Sequence, residues 1–362
     1  MNTRRLKVIT LAAAMLTGAG LVAAQAPAET ADKPKKERVP KKPRGTFFES
    51  EEPIAATFTT NIKQLRRDKA DKAPWRDGQM SYTAPDGKVV SIPAKVRTRG
   101  IWRLKTCEFP PVRFNFTSAA TKGTLLDGLD KPKLVNHCRD DDLYEQYILQ
   151  ELQVYRIYAL LTPVSHRVRL LRLTYADSAT GKPLTTRYSF FVEDLAWLAG
   201  RKDGLVLPLK GAVGSDLEPF HNALIGVFMF FIGNTDFSIN GLHNVELVQT
   251  SDGIVFPVAF DFDFSGAVNA RYATVDPSLS VQRVRDRLFR GYCAPSGDFE
   301  KVFALFNEKR EAINGLYRDH IGKLMNAKVA DETIRFYDDF YKTINDPRAR
   351  KRHILEACRP DR

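Results

Sequence analysis

The chain has 362 residues, of which 43% are hydrophobic, 10% aromatic and 27% charged, a composition that excludes a disordered polyelectrolyte and a membrane-filling protein. Its formal net charge of +12 at pH 7 is concentrated toward the N-terminus. The basic excess therefore says little about partners, and no nucleic acid is expected.

Residues 1–24 place Arg4, Arg5 and Lys7 before an apolar run from Val8 to Ala24 that ends on small residues. This is the layout of a Sec-type signal peptide, too short and too rich in Ala and Gly to be a span. The expected destination is the periplasm or the exterior, with no membrane span after cleavage. Residues 25–46, with "DKPKKERVPKKPRG", read as a basic Lys/Pro-rich tether.

From Ile54 to Phe116 the β-branched and aromatic content predicts short strands, with "APDG" (84–87) as a hairpin turn. In "AKVRTRGIWR" the alternation puts Lys95, Arg97 and Arg99 on one face and Val96 on the other. "KLVNH" (133–137) reads as a further strand. Residues 140–162 open on acids suited to a helix start, carry apolar residues near helical period, and stop before Pro163. Residues 167–177 and 186–194 predict an antiparallel pair around "SATGKP". An apolar helix over 220–236 ends at Gly233. Beyond an irregular polar loop, "NVELVQTSDGIVFPVAFDFDFSG" reads as two strands around "SDG", and three helices are expected over 276–292, 297–318 and 330–346. This order predicts an α+β protein in two lobes, an N-terminal lobe over 47–195 and a C-terminal lobe over 196–362.

The four cysteines suit two bridges in a compartment that permits disulfides. Of three connectivities we favour Cys107–Cys138 and Cys293–Cys358.

Two places carry candidate chemistry. If "AFDFDFS" is a strand, Asp261 and Asp263 project from one face. Two adjacent carboxylates ionise together most comfortably when a cation bridges them, and Mg²⁺ (or Mn²⁺) suits two carboxylates plus phosphate oxygens. Upstream, "GNTDFSINGLHN" follows a buried helix, and Asp236 with Asn244 would supply a proton acceptor and an amide oxygen for a metal. His243 in that loop reads as a hydrogen-bonding residue. Trp75, Trp102 and Trp197 are too dispersed to predict a sugar-stacking platform.

An acid in a loop, an Asn several residues on, a hairpin, then an Asp-bearing strand end is similar to protein-kinase logic. More narrowly, "VRTRGIWRLKTCEFPPVRFNF", "KLVNHCRDDDLYEQYILQELQVYRIYALLTPVSHRVRLLRL" and "YSFFVEDLAWLAGR" resemble segments of the spore-coat-protein-H-like (CotH-type) atypical kinases and of related exported bacterial proteins. The resemblance covers residues 50 to 300 or so and implies a two-lobed protein-kinase-like fold with a β-rich N-terminal lobe. It also implies ATP or another nucleotide as donor, and a protein or envelope hydroxyl as acceptor. On it Asp236 is the catalytic residue that orients or deprotonates the acceptor, Asn244 and Asp261 are metal ligands, and Asp263 is a second ligand or helper. Glu145 or Glu151 stands for the acid on the long helix, and Glu193 for the hinge acid. The strand position of the kinase lysine reads Arg113; Lys133 is an alternative, and Arg97, Arg99 and Arg103 could also meet phosphate. The chain departs from kinases in lacking a glycine-rich loop and in the wide spacing from Asp236 to Asn244. Two other readings stand beside it: a non-catalytic envelope binding or assembly module, and a glycosyltransferase using the Asp261/Asp263 pair for its metal.

Overall fold

The computed structural model describes residues 40, 42–70 and 73–361. The expected signal peptide and most of the tether lie outside them. Strands β1 (Ile54–Thr60), β2 (Arg76–Thr83), β3 (Val89–Thr98), β4 (Val112–Phe116) and β5 (Lys133–Val135) come first, with short helices α1 (Ile62–Arg67), α2 (Trp102–Thr106) and α3 (Ser118–Thr121) between them. Helix α4 (Asp142–Leu161) precedes the long pair β6 (Val168–Asp177) and β7 (Pro183–Val192). After α5 (Leu195–Arg201) and β8 (Gly204–Val206) come α6 (Pro219–Ile232), β9 (Val245–Thr250) and β10 (Val255–Ala259). Helices α7 (Ser296–Leu316) and α8 (Ala327–Asn345) complete the main elements.

The expected two-lobed kinase-like architecture is not what forms. β1 pairs antiparallel with β2 and parallel with β6, so the order β1-β2-β3-β4-β5-β7-β6 closes into a seven-stranded mixed barrel. A separate three-stranded sheet, β10-β9-β8, lies outside it. The closing pair runs from Ile54 opposite Leu171 to Thr60 opposite Asp177, a register that strand alternation alone does not announce. Alternation does fill the barrel: Phe58, Ile92, Val96, Phe114, Leu134, Leu173 and Phe191 all point inward and are buried.

The second core is helical. α6 is apolar on every side and has buried neighbours all round, as such a helix must. It passes so close to the segment before α7 that a Cβ on Gly226 would lie 3.1 Å from the Gly291 Cα. α4 is more mixed, yet most of its length is buried between the barrel and the helices.

Two local expectations are corrected. Residues 276–292 contain no helix. The segment is held as a loop: the Asp286 carboxylate accepts from the Gln282 and Arg283 amides, and Arg285 and Arg287 donate to the carbonyls of Gly266, Phe230 and Phe231. Also, β10 stops at Ala259, so Asp261 and Asp263 lie beyond the strand. Its partner β9 begins at Val245, opposite Ala259, and the pairing ends one residue on, where the Phe260 amide donates to the Asn244 carbonyl at 3.1 Å. Both favoured disulfides, Cys107–Cys138 and Cys293–Cys358, are present, and no described cysteine is free. No described helix is long and apolar enough to cross a membrane.

Candidate functional site

The C-terminus of α6 sets the site. Gly233 closes the helix in the left-handed region (φ 64°), and the Asn234 amide donates back to the Met229 carbonyl at 2.8 Å. The returning chain is fixed to the same end, with the Gly266 amide donating to the Gly233 carbonyl at 3.0 Å and Ala267 to Ile232 at 2.9 Å. The segments bearing Asp236 and Asp263 therefore leave one helix terminus together.

Asn234 opens an Asx-turn that Asp236 closes, the Asp236 amide donating to Asn234 Oδ1 at 2.8 Å. A tight ribbon follows in which Ser238 and His243 exchange backbone hydrogen bonds of 2.9 Å. Leu242 and Asn244 adopt positive φ, which folds the ribbon back on Asp236. His243 Nε2 then lies 2.8 Å from Asp236 Oδ1, while Asn244 Nδ2 donates to the Asp236 carbonyl at 2.7 Å and to Oδ2 at 3.1 Å. His243 has the hydrogen-bonding part expected of it. The eight-residue spacing from Asp236 to Asn244 is the length of this ribbon.

Asp261 takes φ 60°, an uncommon conformation for a non-glycine residue. It is held there by α4: the Asp261 amide donates to Tyr155 Oη at 2.9 Å, and the Phe262 amide reaches Glu151 Oε1 at 3.4 Å. Asp263 accepts from Tyr272 Oη at 3.1 Å and lies 3.6 Å from Arg103 Nη1.

One cleft of about 470 Å³ is lined by Asp236, Asn244, Asp261 and Asp263 together with Arg99 and Arg103. The arginines come from the connection between β3 and β4. That connection is tied at its ends by the Arg99 amide donating to the Pro111 carbonyl at 2.9 Å, and by the Cys107–Cys138 bridge. Arg103 also donates to the Asn136 carbonyl, whose own side chain donates to the carbonyls of Pro110 and His137.

The electrostatics are unbalanced. Burial, and then the neighbouring Asp261, push the Asp263 carboxyl up to about 7 against the pull of Arg103. Burial, Asp263 and Asp261 push Glu151 well above the carboxylate range. For Arg103 burial works against the charge, yet Tyr272, Asp263, Glu151 and Asp261 together hold it above its ordinary value. Burial lowers Arg99, with Asp261 opposing. The Nε atoms of Arg99, Arg103 and Arg113 are buried without a hydrogen-bond partner. A buried donor left unpaired is costly; of the three, Arg99 and Arg103 line the cleft, and Arg103 has Asn136 and Asp263 as partners through its other nitrogens. Among the described residues no three His, Cys, Asp or Glu side chains converge as a ready-made metal cage.

The remaining predicted residues are placed elsewhere. Glu145 binds Arg172 Nη1 and the Tyr188 amide, at 2.6 and 2.7 Å, and so fastens α4 to β6 and β7. Glu193 is gripped by Arg201 at 2.9 and 2.8 Å and accepts the Arg167 amide at 3.1 Å. Lys133 lies 3.6 Å from Glu246 and over the Phe260 ring. Of the two helix acids, Glu151 alone reaches the Asp261–Asp263 segment. Tyr272 belongs to the neighbourhood without a sequence signal of its own, and Trp102, set aside with Trp75 and Trp197 as too dispersed, lines the cleft; its signal was its place between two arginines in "RGIWR". No protein-family model matches the chain, and no curated protein is significantly similar to it.

Proposed function

We propose that the cleft is a divalent-cation-dependent phosphotransfer site, in line with the resemblance to CotH-type kinases, acting on a hydroxyl of a protein or envelope component in the periplasm or outside the cell. The observation that carries the reading is the gathering, in one cleft, of an oxygen-ligand cluster with two guanidinium groups, Arg99 and Arg103, whose buried Nε atoms have no partner. The proposal concerns the site and implies no two-lobed architecture.

The donor set fits a hard cation. Asp261 and Asp263 would hold Mg²⁺ with the Asn244 amide oxygen, which is left over when Nδ2 faces Asp236. When bound, such an ion neutralises charge on phosphate oxygens. The chain's own residues supply the rest. Arg99 and Arg103 would orient the donor's phosphates through charge-assisted hydrogen bonds. Asp236 would receive the acceptor proton as the acceptor oxygen bonds to phosphorus and the bridging P–O bond breaks, its electron pair leaving with the donor. His243 and Asn244 fix the Asp236 carboxylate, and each oxygen keeps a lone pair for that proton.

A second reading, a binding module without turnover, is favoured by the compensation already present: Asp263 has Tyr272 and Arg103, and Asp236 has His243 and Asn244. The glycosyltransferase reading has no separate observation in its favour.

Calorimetry with the disulfides intact separates the two. Metal-dependent ATP binding that disappears in Asp261→Ala supports the site, and failure of ATP, other nucleotides and Mg²⁺ to bind rejects it. Asp236→Asn then decides turnover. It should leave binding intact and lower the transfer rate by roughly 10²–10⁴-fold, the usual range for a lost proton acceptor.

A further inference from the structure

Asp236 and Phe264 each line two cavities. The second, of about 230 Å³, is completed by Thr235, Thr274, Val275, Asp276, Pro277 and Arg290, and contains none of the other acids or arginines of the first. The carboxylate placed to receive a proton is therefore reached from two spaces of different chemistry.

The second cavity is built on fixed backbone. Arg290 donates through Nη1 to the Thr235 carbonyl. Its segment is tied down just beyond, where the Arg359 amide donates to the Gly291 carbonyl and the Cys293 amide to the Arg359 carbonyl, both at 2.9 Å, beside the Cys293–Cys358 bridge. The segment bearing Thr274 and Asp276 ends in a turn, with Asp276 Oδ1 accepting the Ser278 amide at 2.9 Å and the Asp276 carbonyl accepting the Leu279 amide at 3.0 Å. Burial and then Arg359 lower the Arg290 pKa, with Asp276 and Asp236 opposing.

This lining selects a neutral ligand rich in hydroxyls. Two carboxylates only accept hydrogen bonds, a guanidinium only donates, and two threonine hydroxyls do both. A ligand of either sign meets like charge in so small a space, whereas a hydroxyl gives to the acids and takes from the arginine. Val275, Pro277 and Phe264 supply an apolar part for the C–H face of a ring. Size points the same way: a cube of 230 Å³ is about 6 Å on edge, while a serine with two neighbours on each side spans about 17 Å when extended. A serine side chain entering alone would leave Arg290 and Asp276 unmet.

We infer that the second cavity seats a saccharide unit, with one of its hydroxyls at Asp236, as the acceptor. This rests on the phosphotransfer reading of the neighbouring cleft and names its acceptor class. The hydroxyl proton passes to Asp236 as its oxygen bonds to phosphorus, the donor's bridging P–O bond breaks with the electron pair leaving on the donor, and the product is a sugar phosphate ester.

Saturation-transfer NMR on the full chain with both disulfides formed tests the subsite without metal or nucleotide. The probes are glucose, galactose, mannose and N-acetylglucosamine, set against a capped Gly-Ser-Gly tripeptide. At least one sugar should receive saturation and the tripeptide none. Thr274 and Asp276 are exposed, so their substitution leaves the fold intact. Thr274→Val keeps the shape without the hydroxyl and should weaken that sugar by roughly threefold to tenfold, the range of one hydrogen bond. Asp276→Asn keeps an oxygen for the Ser278 amide and should weaken the sugar by roughly tenfold, as for a lost charged acceptor. Mg²⁺·ATP affinity should stay within about twofold in both, since neither residue lines the first cleft. Saturation of the tripeptide and of no sugar, or of neither class, overturns the saccharide subsite, and Mg²⁺·ATP binding by the same sample then leaves the phosphotransfer reading standing. Sugar binding that neither variant weakens also overturns it, because the sugar then sits elsewhere. Sugar binding weakened by both variants, in a chain that binds no Mg²⁺·ATP, upholds the subsite and removes the transfer reading.

Discussion

Helix α4 carries two acids with opposite surroundings. On the face toward β6 and β7, Glu145 is met by Arg172 and a backbone amide, with Arg187 at 3.5 Å. The same economy governs Glu193, held by both ends of the Arg201 guanidinium. On the face toward the cleft, Glu151 has one long contact to the Phe262 amide and two acidic neighbours, while the buried Nε atoms of Arg99 and Arg103 have no partner. A protein that matches buried charges one to one in the first region does not do so in the second. The mismatch has a cost, and a ligand that brings both anionic oxygens and a cation relieves it from both sides.

The largest effect expected from an unmatched group belongs to His137, beneath the Arg103 connection. It is fully buried between Phe109 and Tyr175, and both ring nitrogens lack partners. Burial, with Arg187, Arg103 and Arg66 adding and Asp140 opposing, pushes its pKa down from 6.5 to about 3. The unfolded chain then binds more protons than the native one between these values. Stability from this group is complete above pH 6.5 and is lost as pH falls toward 3, by roughly 4–5 kcal/mol at the limit. His137→Phe should remove that part of the acid transition and move the denaturation midpoint to lower pH in a urea titration followed by circular dichroism. An unchanged acid profile would mean that His137 finds a partner or opens to water.

Next comes the matched region. Glu193→Ala leaves the Arg201 guanidinium buried against carbonyls alone, and should cost roughly 3–5 kcal/mol in chemical denaturation, the usual result of breaking one side of a buried pair. Ligand affinity in the folded fraction should be unchanged. A loss of nucleotide binding greater than the loss of stability explains would return Glu193 to the site.

The sequence made the local parts of this picture legible. The turn at 84–87, the capped start of α4, the Gly233 stop and the hairpin around "SDG" are signals within a few residues of each other, and the structure has all of them. The cysteine pairs were legible from their halves of the chain. The parallel β1–β6 pairing was not, because it joins residues 54–60 to 171–177 and leaves no local mark. Nor was the left-handed Asp261, whose conformation depends on Tyr155, 106 positions earlier. Residues 276–292 carry helix-compatible residues, but their arginines bond to distant carbonyls and hold a loop. In the site, residue types pointed to Asp236, Asn244, Asp261 and Asp263, which do converge. They could not separate Glu145 and Glu193 from Glu151, because that distinction lies in the arginines opposite, far along the chain.

The smallest effect gives the sharpest version of the comparison, since it uses one helix and one substitution twice. Glu145→Gln keeps the hydrogen bond from the Tyr188 amide but discharges the partner of Arg172 and Arg187. The Arg172 side chain is 41% exposed, so solvent screens much of the change, and the expected cost is about 1 kcal/mol or less. Nucleotide affinity should not move. In Glu151→Gln the amide replaces a carboxyl that burial and two acids already hold toward its neutral form, so stability should shift by no more than about 0.5 kcal/mol in either direction at neutral pH. The same substitution lies against the Phe262 amide, between Asp261 and Asp263, and should change affinity for Mg²⁺·ATP. Thermal denaturation and calorimetry on the two variants side by side give four numbers. The contrast holds if Glu145→Gln moves stability alone and Glu151→Gln moves affinity alone. If both variants change only stability, the cleft acids are structural like the rest, and the unpaired arginines then need an anion that brings no cation with it.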